Sequence, residues 1–338
     1  MKLLDVPVID IAPFRLGGET ERRQVAEAVD RACRDIGFLV VSGHGVDPAL
    51  IERTRAVSRD FFDLPLAQKM QVAKPAVDVT RGYTGMDEES LARSRDPAAT
   101  GSDLNESLMI GPVDAPPDDY ARAPAAGKHF APNLWPDRPE GLREAYVDYY
   151  RAMGTLAHTL MRIFARAFAL PEDYFDGRID RHISRLRVRN YPAQTEAPRP
   201  GQIRAGAHSD YGSLTILATE DRPGGLQVFN AAGEWVDVPI LPGCFVINIG
   251  DLMARWTNDS WVSTLHRVVN PPADAGAGAR RQSLVFFHNP NYDAEITSLV
   301  PGEAAKYPPT TSGEHLRKLF VATQNRAGGG GAGGSADA

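Results

Sequence analysis

Near residue 184 the spacing of apolar residues switches from that of helices to that of strands, and any fold for this chain must accommodate both. Upstream, Val25, Val29, Ala32, Cys33 and Ile36 recur at helical spacing over residues 20–35. Tyr149, Met153, Leu156, Leu160, Ile163 and Ala167 form one stripe of a long helix that Leu170-Pro171 ends. Asp47-Pro48 reads as an N-cap with proline in the first helical position, opening a helix toward Phe62. Two short strands, residues 7–11 and 38–41, are interleaved, and Gly37 stops the helix before the second. Residues 75–136, rich in Pro, Gly, Asp and Ala, read mostly as loop. Downstream, residues 214–217, 226–229, 245–248 and 283–287 are short apolar runs separated by Gly/Pro turns, as in a sandwich or barrel.

Composition narrows the function classes. With 43% hydrophobic and 24% charged residues, the 338-residue chain has the mixture of a globular protein with a sizeable core. A net charge of −6 argues against a nucleic-acid partner, which would need a basic stripe for phosphates. Cys33 and Cys244 cannot build a disulfide framework or a CxxC zinc site, so a reducing cytoplasm is the expected location. Asp5 interrupts the N-terminus before a signal-peptide apolar run forms. No stretch approaches the ~18 apolar residues of a membrane span, so no membrane partner is expected. Nor does any segment point to an obligate protein partner. Residues 326–338 read as a flexible Gly-rich tail.

One short string carries chemistry. In His208-Ser209-Asp210, at the end of an expected strand, residues i and i+2 share a face and can reach one point. Two nitrogen ligands and one carboxylate on one side of a metal leave its other positions open, as in non-haem Fe(II) oxygenases. The pair needs a third ligand, for which the remaining histidines compete.

The string extends into a resemblance. Residues 208–217, His-Ser-Asp-Tyr-Gly-Ser-Leu-Thr-Ile-Leu, resemble the metal segment of the isopenicillin N synthase-like branch of the Fe(II)/2-oxoglutarate dioxygenases. Residues 263–269 around His266 resemble the branch's second histidine segment, and Arg281-Gln-Ser283 its Arg-x-Ser signature. Residues 6–10, 37–45 and 61–65 follow the family's N-terminal order. The similarity covers residues 5 to 320.

The resemblance implies a mixed α and β fold with a double-stranded β-helix (jelly-roll) core at about 184–290. The helix-rich part, about 1–180, would pack on one side, making a single domain over 1–325. It implies Fe(II) held by His208, Asp210 and His266, with 2-oxoglutarate and O2 as co-substrates. Arg281 and Ser283, joined by Tyr191, would hold the co-substrate's distal carboxylate, although Arg189 stands where many relatives have Asn. The implied reaction couples oxidative decarboxylation of 2-oxoglutarate to C–H oxidation of a small molecule, hydroxylation first, of the kind used in secondary metabolism. The alternative within the family is oxidative cyclisation without 2-oxoglutarate, as in isopenicillin N synthase, to which Arg81-Gly82-Tyr83 is similar. Outside it stand a zinc hydrolase on the same ligands and a barrel that binds without chemistry.

Asp251 is the rival carboxylate, expected in a supporting role, and His44 reads as a packed turn histidine. His288 should point away from the face of Arg281 and Ser283. On a regular strand Arg204 would share the face of His208 and Asp210. Arg204 and Arg81, with Tyr83 and Phe287, are the candidate substrate contacts, gripping a carboxylate, with Glu106 the alternative partner for Arg204.

Overall fold

The structure, a computed structural model, describes residues 4–328 apart from 77–78, 87, 95–100, 115, 117, 195–197, 200 and 223. Its strands are β1 (Val8–Asp10), β2 (Phe38–Ser42), β3 (Gly82–Thr84), β4 (Glu106–Ile110), β5 (Arg185–Tyr191), β6 (Ala205–His208) and β7 (Leu214–Thr219). They continue with β8 (Leu226–Phe229), β9 (Trp235–Asp237), β10 (Phe245–Ile249), β11 (His266–Val268), β12 (Arg281–His288), β13 (Glu295–Ile296) and β14 (Thr310–Thr311). The helices are α1 (Ala12–Leu16), α2 (Glu19–Asp35), α3 (Pro48–Phe62), α4 (Leu66–Lys69), α5 (Leu142–Ala167), α6 (Asp176–Ile179), α7 (Asp251–Trp256) and α8 (Ser312–Gly328).

Local signals place the early elements. Gly37, at φ +67°, ends the turn after α2, where an added Cβ would strike the Val262 carbonyl. The Asp47 carboxylate accepts from the Ala49 amide, capping α3 as its sequence requires. The stripe on α5 is buried from Tyr149 through Ile163.

Two sheets form the jelly-roll. The larger runs β1-β2-β10-β7-β12-β5-β4-β3 and the smaller β6-β11-β8-β9. Strand alternation divides the larger sheet into two working faces. Leu186, Val188, Leu284 and Phe286 face outward into the main core, where α5 lies against β5, β7 and β12. Arg281, Ser283, Val285 and Phe287 face inward and line a cavity between the sheets.

The sheet reaches further than the expected 184–290 core. β2 pairs with β10 and carries β1 with it, while β4 pairs with β5 over five positions and carries β3. The stretch expected to be mostly loop thus supplies two strands, because Leu108 and Ile110 join the core despite the Gly- and Pro-rich residues around them. At the other end, residues 326–328 complete α8 rather than opening the expected tail, and 329–338 lie outside the described residues. No helix of the described residues is long and apolar enough to cross a membrane.

Candidate active site

In the smaller sheet His208 of β6 lies directly opposite His266 of β11. Their Nε2 atoms are each 3.8 Å from Asp210 Oδ1. The three ligand atoms lie within 4.8 Å of one another.

Hydrogen bonds decide which atoms stay bare. His208 Nδ1 is 2.7 Å from the Gly206 carbonyl, and His266 Nδ1 is 3.1 Å from the Thr264 carbonyl. A carbonyl can only accept, so each Nδ1 carries the proton and each Nε2 presents its lone pair. Asp210 Oδ2 accepts from Thr215 Oγ1 at 2.6 Å and Asn248 Nδ2 at 2.8 Å, leaving Oδ1 toward the imidazoles. Burial, reinforced by His266, pushes His208 well below its ordinary value and keeps it neutral. Burial alone would raise Asp210, but the imidazoles and the bonds from Thr215 and Asn248 together hold it below its ordinary value. Two imidazole nitrogens and one carboxylate oxygen converging from one side are a donor set that fits Fe(II). Asp251 stands behind this set: its amide donates to the Asp210 carbonyl at 2.7 Å, and its carboxylate accepts from Ser209 Oγ at 3.1 Å.

Two chambers adjoin at the triad, and His208, Asp210, Arg189 and Phe287 border both. The inner, of about 50 Å³, lies between the sheets, with Leu217, Leu226, Val268 and Val285 among its apolar walls. Arg281, Ser283 and Tyr191 also line it. Arg281 donates to the Gly224 carbonyl and to Thr219 Oγ1, which lies 3.0 Å from Ser283 Oγ. Among the described residues its Nε is buried without a partner, a donor still available to an acid. The Tyr191 ring sits 5.6 Å from this guanidinium. The outer chamber, of about 130 Å³, is walled by Met109, Phe287, Leu316 and Phe320. A larger depression of about 730 Å³ lies around His158, His182 and His288, but none of the triad borders it.

The remaining expectations divide. Phe287 lines both chambers, and His288 faces away from them. His44 accepts from the Val46 amide and packs on Phe245, as a turn histidine should. Arg204 departs from its expected place. The β6–β11 register shifts between His266 and Val268, so His208 and Ala205 are the paired residues, three apart. This bulge reverses the parity of β6. Ala205 therefore shares the inner chamber with His208, while Arg204, fully buried outside both linings, donates to the Ala279 carbonyl. Glu106 accepts instead from Lys69, Tyr83 and Asn190. Arg81 is also spent elsewhere, on the carbonyls of Thr80 and His129. Neither Arg81 nor Tyr83 lines a chamber.

The residues that sequence reasoning misses are on β5. Arg185, Arg187 and Arg189 all line the outer chamber. The Arg-Leu-Arg-Val-Arg alternation is their signal, since it puts every arginine on the face opposite Leu186 and Val188.

Comparison with known proteins follows the same division of the chain. A profile for the non-haem dioxygenase in morphine synthesis N-terminal region matches residues 6–138, and one for the 2OG-Fe(II) oxygenase superfamily matches residues 182–290. A 2-oxoglutarate-Fe(II) type oxidoreductase of Aspergillus fumigatus is 32% identical over 95% of this chain and 94% of its own. Homoarginine-6-hydroxylase 2-ODD-233 of Oryza sativa subsp. japonica is 31% identical over 92% and 95%. Among solved structures, a full-length Neurospora crassa protein in complex with alpha-KG superimposes with a TM-score of 0.82 at 32% identity, covering 94% of this chain and 96% of that one.

Proposed function

The chain belongs to the 2OG-Fe(II) oxygenase superfamily, and on that premise we propose that His208, Asp210 and His266 hold its iron while Arg281 and Ser283 hold the distal carboxylate of 2-oxoglutarate. It is a 2-oxoglutarate-dependent Fe(II) dioxygenase that hydroxylates a small molecule. We assign the reaction to one domain spanning about residues 1–325. The two free cysteines suit a reducing cytoplasm.

The observation that carries the ligand assignment is the outward bonding of the triad, with Nδ1, Nδ1 and Oδ2 all engaged and Nε2, Nε2 and Oδ1 left to converge. Iron held by His208, Asp210 and His266 would, with 2-oxoglutarate and O2, supply the oxidising power for a substrate C–H bond, the co-substrate leaving as succinate and CO2. The chain does the rest by positioning. The Gly206 and Thr264 carbonyls hold the imidazole tautomers, and Thr215 and Asn248 fix the carboxylate's rotation. Arg281 offers a planar fork to an acid at the deep end of the inner chamber. Tyr191 stands beside that fork, and Leu217, Val268 and Val285 keep water from the path between it and the triad. The primary substrate enters the outer chamber, across the triad from Arg281.

Anaerobic protein given Fe(II) and 2-oxoglutarate should develop a weak visible charge-transfer band that neither gives alone. Asp210→Ala and His266→Ala should each abolish it. Retention of the band in Asp210→Ala and its loss in Asp251→Ala would move the carboxylate ligand to Asp251.

A further inference from the structure

The three arginines that β5 turns into the outer chamber are not equally satisfied. Arg187 pairs with the Glu89 carboxylate and donates to Ser107 Oγ at 3.0 Å. Arg189 donates to Asn105 Oδ1 at 2.7 Å. Arg185, only 7% exposed, has no hydrogen bond or carboxylate partner among the described residues. It lies with its guanidinium 4.6 Å from the Phe320 ring. The charge it feels most is Arg81, of its own sign. A cation in that position is costly to bury unless an anion completes it.

The cofactor does not supply that anion. The carboxylate end of 2-oxoglutarate belongs with Arg281 in the inner chamber, which Arg185 does not border. What Arg185 does border is the outer chamber, whose remaining wall is largely apolar, with Met109, Phe287, Leu316 and Phe320. We propose that Arg185 anchors a carboxylate on the primary substrate, whose apolar body spans the outer chamber and brings a C–H bond to the triad. The planar fork matches a carboxylate in two bonds, and Phe320 on α8 holds the guanidinium in place for it. The substrate class is therefore a small monocarboxylic acid with an aliphatic or aromatic body. This rests on the assignment of iron and 2-oxoglutarate above.

The test uses thermal unfolding of full-length protein loaded with Mn(II) and 2-oxoglutarate, titrated with a series of aryl and alkyl monocarboxylic acids. Each acid is paired with its methyl ester. At least one acid should raise the unfolding temperature of the wild type more than its ester does. Arg185→Met should bind that acid about 10- to 100-fold more weakly and leave the ester unaffected. Arg185→Lys, which keeps the charge without the fork, should fall between them. Arg185→Met by itself should unfold at or above the wild-type temperature, because it removes a buried cation that the fold does not pair. The proposal is overturned if no acid exceeds its ester in the wild type, or if Arg185→Met keeps the acid's effect. Unfolding of Arg185→Met well below wild type would also overturn it, by making the guanidinium part of the scaffold. Failure of 2-oxoglutarate itself to raise the unfolding temperature of Mn(II)-loaded wild type would instead strike the cofactor assignment.

Discussion

Arg281 can be tested against a side chain that keeps its charge. Lysine at this position retains the cation but loses the fork, so one charged hydrogen bond to the distal carboxylate is lost. At ~1.5–3 kcal/mol for such a bond and ~1.4 kcal/mol per tenfold, Arg281→Lys should bind 2-oxoglutarate about 10- to 100-fold more weakly. Titration of the visible band would measure this, and the variant should still bind iron. Unchanged affinity would place the distal carboxylate on residues other than Arg281. His208, Asp210, His266, Arg281 and Ser283 are legible in sequence because each sits in a short string whose neighbours carry the resemblance. Arg185 is not. Its meaning lies in the absence of a counter-charge among the described residues, and that depends on Glu89 reaching Arg187 and Asn105 reaching Arg189 across the fold.

Strand periodicity succeeds or fails by element. On β12 the alternation holds for eight residues, so Arg281 and Ser283 face inward and His288 outward, as the period of two requires. On β6 the bulge opposite β11 breaks the same rule and sends Arg204 away from His208 and Asp210. No local pattern in Arg-Ala-Gly-Ala-His announces the extra residue, although a strand glycine is a common companion of one. Gly206 has a steric reason to be there: an added Cβ would lie 2.6 Å from the Ala92 amide nitrogen and 2.7 Å from its Cβ. Ala92 belongs to a 3-10 turn, Leu91–Ser94, whose Leu91 lines both chambers. Gly206→Ala should therefore cost about 1–3 kcal/mol, the usual range for overpacking, read as a lower urea midpoint. A wild-type midpoint would mean that the turn yields freely. β4 escapes the sequence for a different reason. Its five residues become a strand by pairing with β5, and little in the surrounding Pro- and Gly-rich stretch marks them locally.

Burial of histidine sets how the fold as a unit answers acid. Burial pushes His129 down to about 3, His182 and His315 to about 4, and His288 well below its ordinary value. In the unfolded chain each takes a proton near ~6.5. Between that value and about 4 the unfolded state binds more protons, so stability falls as pH falls. The unfolding temperature should drop steadily from pH ~7 to ~4.5, with roughly one proton taken up on unfolding per such histidine; a flat profile would contradict it. The long sheet has a consequence for synthesis as well. β2, with Phe38, Leu39, Val40 and Val41 all buried in the finished protein, pairs on one side with β1 and on the other with β10. A ribosome adding about 5–20 residues per second would need on the order of 10–40 s to travel from β2 to β10. Throughout that interval the nascent chain carries an uncapped apolar strand, a natural landing place for chaperones and the point where premature release would favour aggregation.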